Sequence, residues 1–290
     1  MSEAVVAGHH ELRVRVPARG PRADAGAVAV VWRREMITSF RNKLRFAMAL
    51  VQPLLFLFVL GGGLQGVATG SIGDFSFKTF LFPGVLATAV FMPALFSAGS
   101  IVFDREFGFM REMMVAPIRR ATIVIGKCVG GATVATIQGL LVLCLAGAVH
   151  VPYDPAMLAS LVGEIALFSL ALVSFGVMLA AGITQFMTFQ AVMQTVMFPL
   201  IFLSGTLFPQ SGLPRWLEVV TRLDPVSYAV DALRGTVFRA LDAPARARHV
   251  LDPGIDWWGW KVPIGVELGI VALSGLVMLA IAIRRFEAIE

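Results

Sequence analysis

Hydrophobic positions in this chain fall in long, nearly unbroken blocks rather than in the alternating or one-faced stripes of a soluble domain. Six blocks reach the ~20 residues that a helix needs to cross a bilayer. They cover residues 46–64, 80–102, 123–149, 157–182, 189–208 and 262–283. In a bilayer the backbone must satisfy its own hydrogen bonds, so each block predicts a helix. The fold class expected is all-α, integral to a membrane, with six transmembrane helices.

The polar stretches have their own patterns. Residues 1–26 are rich in Ala, Gly, Pro and Arg and read as a flexible tail. No apolar h-region precedes the first block, so no cleavable signal peptide is expected. In residues 27–45, Val28, Trp32, Met36, Phe40 and Leu44 recur every four positions, with Val31 beside them. Arg33, Arg34, Arg41, Asn42 and Lys43 fall largely on other faces. This predicts an amphipathic helix in the membrane surface, its arginines toward anionic lipid. The six-span domain fills residues 46–290. Within residues 209–261, Pro209, Pro214 and Pro225 punctuate two expected short helices, at 213–220 and 226–237.

Charge sets the expected orientation. Nine Lys/Arg precede the first block, four lie in residues 103–120, and Arg284 and Arg285 follow the last. Only Lys78 lies between the first two blocks, and no Lys or Arg between the third and fourth. The positive-inside rule then places both termini and residues 103–120 in the cytoplasm. Residues 210–261 carry seven basic residues but also six acidic ones, over a length at which charge directs topology weakly.

Composition agrees: 57% of residues are hydrophobic and 15% charged, against about 25% charged in soluble domains. The basic residues sit at block ends rather than on one polar domain, so the pI near 9.8 does not indicate nucleic acid. Cys128 and Cys144 would stand ~24 Å apart on one helix, too far to pair, and read as small buried apolar residues. The four histidines have no metal-ligand spacing around them.

The segment FDREFGFMREMMVAPIRR, from Phe103 to Arg120, holds four arginines and three carboxylates between two apolar blocks. A helix opening at Asp104 and stopping before Pro117 (residues 103–117) would put Phe103, Phe107, Met110 and Met114 on one face. Asp104, Arg105, Gly108, Arg111 and Glu112 would share another. Topology alone requires neither the carboxylates, Glu106 included, nor the Phe/Met face. Each carboxylate has arginines near in sequence, which disfavours a raised pKa and catalysis. A docking surface fits best.

DREFGFMREMMVAPIRR resembles the cytoplasmic loop signature of type-2 ABC exporter permeases. FLSGTLFPQSGLPRWLEVVTRLDPVSYAVDALRG, Phe202 to Gly235, is similar to that family's fifth span and the extracellular helices after it. With the six spans, the likeness covers about residues 30–285, and the daunorubicin-type drug exporters are the branch it most resembles. The resemblance implies that Asp104, Arg105, Glu106, Phe107, Gly108, Met110, Arg111, Glu112 and Pro117 belong to a coupling helix seated on a separate ATP-binding cassette subunit, two per transporter. It implies a dimer with a second permease copy or paralogue, in a bacterial inner membrane. ATP and Mg would be bound by the partner, since this chain has no GxxxxGK[ST] loop and needs no cofactor of its own.

Other positions carry weaker signals. Gly126–Gly130 and Gly265–Gly269 permit close helix approach, for packing within the chain rather than a dimer contact. Glu164 and Glu267 would lie ~10 Å inside the outer ends of two spans, where intramembrane carboxylates serve a partner or a substrate. Lys127 would snorkel to the inner surface. In the fifth block Gln185, Phe186, Phe189, Gln190, Met193, Gln194 and Phe198 make a polar, pliable helix suited to a substrate pathway or to packing. Pro93 and Pro199 would kink their helices.

The function expected is export of an amphipathic or lipophilic molecule by a non-catalytic permease in contact with membrane lipids. The alternative is a polysaccharide or glycoconjugate exporter. A lipid-modifying membrane enzyme would need clustered polar groups at one interface, and a channel would need a polar stripe along one span.

Overall fold

The structure is a computed structural model that describes residues 21–63, 76–109, 119–206, 214–241, 254–257 and 259–288. Six helical runs among them are long and apolar enough to cross a membrane: Phe46–Gly63, Phe77–Glu106, Arg120–Leu143, Pro155–Ala180, Phe186–Leu203 and Ile264–Ala288. With almost no sheet, the chain is an all-α, multi-pass membrane protein.

In chain order the helices are α1 (Pro21–Arg41) and α2 (Lys43–Leu55), the latter passing into a π-helical turn at Phe56–Leu60. Then come α3 (Phe77–Ser97), α4 (Gly99–Glu106), α5 (Arg120–Leu143), α6 (Pro155–Ala180) and α7 (Phe186–Leu203). The short α8 (Arg215–Leu223) and α9 (Pro225–Ala240) lead to a hairpin, β1 (Asp256–Trp257) and β2 (Trp260–Lys261). The last helix is α10 (Ile264–Ala288).

The core lies where α3, α5 and α6 meet, with Phe82, Phe91, Phe168 and Ile123 fully buried. Small residues set the spacing, as expected where lipid supplies no hydrophobic drive between helices. A side chain at Gly139 would press on Val90 and Ile165, and one at Gly275 on Ala171. By contrast α2, α7 and α10 leave most of their apolar surface exposed, for lipid or another chain to cover.

Helix starts follow local chemistry. Asp154 caps α6 by accepting from Ala156 N at 3.2 Å, and Asp224 caps α9 by accepting from Val226 N at 3.0 Å. Proline follows each Asp at the first helical position, where its missing N–H costs nothing. α9 is buried along nearly its whole length against α6 and α10. The hairpin is fastened to it: Asp231 Oδ2 accepts from Ile255 N at 2.8 Å, and Trp257 Nε1 donates to Tyr228 OH at 3.0 Å.

The structure departs from the sequence reading in four places. No helix opens at Asp104: that residue lies in the last turn of α4, which continues the α3 direction, and Gly108 turns the chain away at φ 81°. Asp104 cannot cap a helix start because its carboxylate is held elsewhere. The third span ends at Leu143, six residues early, so Cys144 is exposed while Cys128 is buried. α1 begins at Pro21 and runs lengthwise along the first turns of α5, with Asp24 near Arg119, Val31 at Gly126 and Glu35 at Gly130. Its inner side therefore rests on protein rather than headgroups, and Trp32 Nε1 donates to Thr133 Oγ1 at 3.1 Å. The π-helical turn in the first span has no sequence signal that we recognise. Residues 1–20, Pro209 and Leu213 lie outside the described residues.

Candidate functional site

Asp104, Arg105 and Glu106 are consecutive, and each binds a different part of the bundle. A helix advances about 100° per residue, so three neighbours at one end can reach three directions.

Asp104 points inward and is buried. Its Oδ2 accepts from Lys127 Nζ at 2.6 Å and its Oδ1 from Arg34 at 2.9 Å. Lys127 also donates to Glu35 Oε1 at 3.2 Å and to Ser100 Oγ at 3.1 Å. Two cations and two anions thus balance in one knot joining α1, α4 and α5. Lys127 lies seven residues, ~10 Å, along α5 and is only 4% exposed. It does not snorkel, because a carboxylate and two further oxygens satisfy its ammonium where it stands.

Arg105 reaches the opposite way. Its guanidinium donates to Ala181 O at 3.0 Å and Ile183 O at 3.1 Å, carbonyls just past the end of α6 that the helix itself cannot satisfy. It also lies over the Phe286 ring of α10, 5.4 Å from the centroid. Glu106 Oε2 accepts from Phe186 N at 2.8 Å, at the opening turn of α7, where free N–H groups and the helix dipole favour a carboxylate. One turn of α4 therefore grips α1, α5, α6, α7 and α10.

An aromatic edge remains outside. Phe103 and Phe107 are exposed with centroids 4.4 Å apart, and Phe109 is exposed beyond them. Phe103 also meets Phe186 edge-on at 6.0 Å. Met110, Arg111, Glu112 and Pro117, the rest of the expected coupling segment, lie outside the described residues. So the segment predicted for docking divides: of its charged face Asp104 and Arg105 turn into the bundle, whereas Phe103 and Phe107 of its apolar face stay accessible.

The expected substrate helix divides too. In α7, Phe189 and Met193 are buried and Phe186 and Gln190 half-buried, while Gln194 and Phe198 face outward; Gln185, just before the helix, is exposed. These seven residues do not share one face. Glu164 is buried, its Oε1 accepting from Thr236 Oγ1 of α9 at 2.6 Å, and Glu267 is buried in the first turn of α10. Both stand among packed helices. Gly126 and Gly130 serve contact within the chain, against α1, whereas a side chain at Gly265 or Gly269 would meet nothing within 4 Å.

Sequence reasoning missed Arg34, Glu35, Ser100 and Lys127 as parts of the site. The available signal was Lys127 itself: an ammonium deep in an apolar helix demands an anion, and the segment before its span offers Asp104, Glu106 and Glu112.

Comparisons with known proteins agree with this architecture. The model of the ABC-2 type transporter family matches residues 26–238. Nodulation protein J of Rhizobium leguminosarum bv. trifolii is 32% identical over 207 residues, 70% of this chain and 78% of that protein. The putative transport permease ycf38 of Cyanophora paradoxa is 28% identical over 210 residues, 71% of this chain and 72% of the relative. The chain belongs to the ABC-2 type transporter family, as a non-catalytic transmembrane permease subunit.

Proposed function

We propose that this permease exports an amphipathic or lipophilic molecule, driven by an ATP-binding cassette partner that seats on the aromatic edge at the end of α4. One observation carries the reading. Asp104, Arg105 and Glu106 tie the base of that edge to α1, α5, α6 and α7 at once. A rigid displacement of the edge by a partner is thereby delivered to both sides of the bundle, as alternating access requires. The basic end carrying α1, Arg119 and Arg120 faces the cytoplasm, and α8, α9 and the hairpin face outside. In a working transporter two such chains pair, with two ATPase subunits beneath.

The test is co-purification with a co-expressed ATP-binding cassette subunit. Phe107 is exposed, so Phe107→Asp leaves the fold intact while placing a charge in the joint. Loss of the ATPase from the purified variant, with membrane insertion unchanged, is the expected result. Retention of the ATPase at wild-type levels would remove Phe107 from the joint.

A further inference from the structure

We propose that a cavity lined by α1, α2, α3, α4, α5 and the start of α7 binds the headgroup of a neutral, hydroxyl-bearing amphiphile, such as an alkyl or lipid glycoside. This rests on, and narrows, the reading of the chain as an exporter of amphipathic molecules. The cavity holds about 620 Å³, within the range of small-molecule sites. It extends from the Arg34–Asp104 knot to Gln138, which lies eleven residues, ~16 Å, further along α5 than Lys127.

Three features define its ligand. The first is Gln138, which lines the cavity, is 3% exposed and has no hydrogen-bond partner for its amide oxygen. A buried carbonyl left in that state is costly, and a ligand hydroxyl would satisfy it. The second is charge. At the cavity's other end Arg34 and Lys127 are already balanced by Glu35 and Asp104. A phosphate there would face two carboxylates and an ammonium two cations, so neither ion is favoured. A hydroxyl group can both donate and accept among them. Ser100 Oγ, which accepts from Lys127, keeps its own proton to give, and Thr38, Ser39 and Asn42 add further polar groups. The third is the wall. Phe46, Met92 and Phe96 supply apolar surface beside the polar groups. These side chains give a hydrocarbon tail an apolar surface to lie against.

The test uses the full chain in phosphatidylcholine nanodiscs with three photoactivatable probes. All carry the same diazirine-bearing octyl chain, headed by β-glucoside, phosphate or trimethylammonium. The glucoside should label saturably the peptides containing Phe46 or Met92–Phe96, in preference to both charged probes. Gln138→Leu should weaken its half-saturation about tenfold, the cost of losing one buried hydrogen bond. Ala49→Phe, which fills the cavity from α2, should abolish labelling there. Labelling confined to other peptides, or unaltered by both substitutions, overturns the site. Preference for either charged probe overturns the neutral headgroup. No ATPase enters this measurement, so the two readings fail separately. Labelling in a chain that cannot transport would keep the site and remove the export reading; export without labelling would do the reverse.

Discussion

Lys127 Nζ lies 2.6 Å from Asp104 Oδ2, and both side chains are almost wholly shielded from solvent. Twenty-three residues apart, they lock the end of one span to the first turns of the next. A buried pair of this kind resists removal of one partner far more than removal of both.

The first prediction concerns that asymmetry. Lys127→Met leaves Asp104 buried beside Arg34 alone and should cost about 3–5 kcal/mol. Asp104→Leu should be comparable. The double variant should be more stable than either single one, since Arg34 is half in solvent and can hydrate there. Thermal unfolding of the three purified variants measures this. Strictly additive losses would show that the pair contributes no mutual stabilisation.

The second prediction concerns the seat of α1. A Cβ on Gly126 would stand 2.7 Å from Val31 Cβ and 3.3 Å from Val28 O. Gly126→Val should therefore push α1 off α5 at a cost of about 1–3 kcal/mol. Limited proteolysis should cut within Pro21–Arg41 faster in the variant, while insertion of α5 is unchanged. Equal cleavage rates would mean that α1 does not depend on this contact.

The spans were legible in the sequence because twenty apolar residues in a row admit few alternatives in a bilayer. The exposed Phe103 and Phe107 could also be read, from their spacing of four. The knot could not. Each of its charges had a sufficient local explanation: Arg34 as an interfacial arginine, Lys127 as a snorkelling lysine, Asp104 as a helix cap. Only the fold brings together residues 70 and 23 positions apart. The lengthwise packing of α1 was hidden for a related reason. Its periodicity describes an apolar face, and lipid and a Gly-lined helix satisfy such a face equally well. The Gly126–Gly130 spacing held the missing half of that contact.

The third prediction concerns pH. Asp224, in the connection between α8 and α9, has its carboxyl pushed up to about 6 by burial, against the opposing effect of its bonds from Val226 and Ser227. A carboxyl raised in the folded state contributes stability that is complete below about pH 4 and lost as pH rises through 6. At pH 8 the loss is about 3 kcal/mol. Asp224→Asn keeps the helix cap and removes the charge, so it should flatten that slope and exceed the wild type at pH 8. Asp224→Ala should lose the cap at every pH, by about 1 kcal/mol. Melting temperatures from pH 4 to 8 for the three chains check this, and parallel curves for wild type and Asp224→Asn would refute it.

The central claim is that this chain moves its cargo only when an ATPase works on the end of α4. Its most direct measurement is extrusion of a fluorescent amphiphile from proteoliposomes, with the chain and its ATP-binding cassette subunit reconstituted together or singly. The account predicts ATP-dependent extrusion with both present and none with either alone. It also predicts that the Asp104→Leu/Lys127→Met double variant binds the ATPase, permits hydrolysis and extrudes little, because the joint no longer grips α5. Nucleotide-driven extrusion by the chain alone, or full extrusion by the double variant, would contradict it.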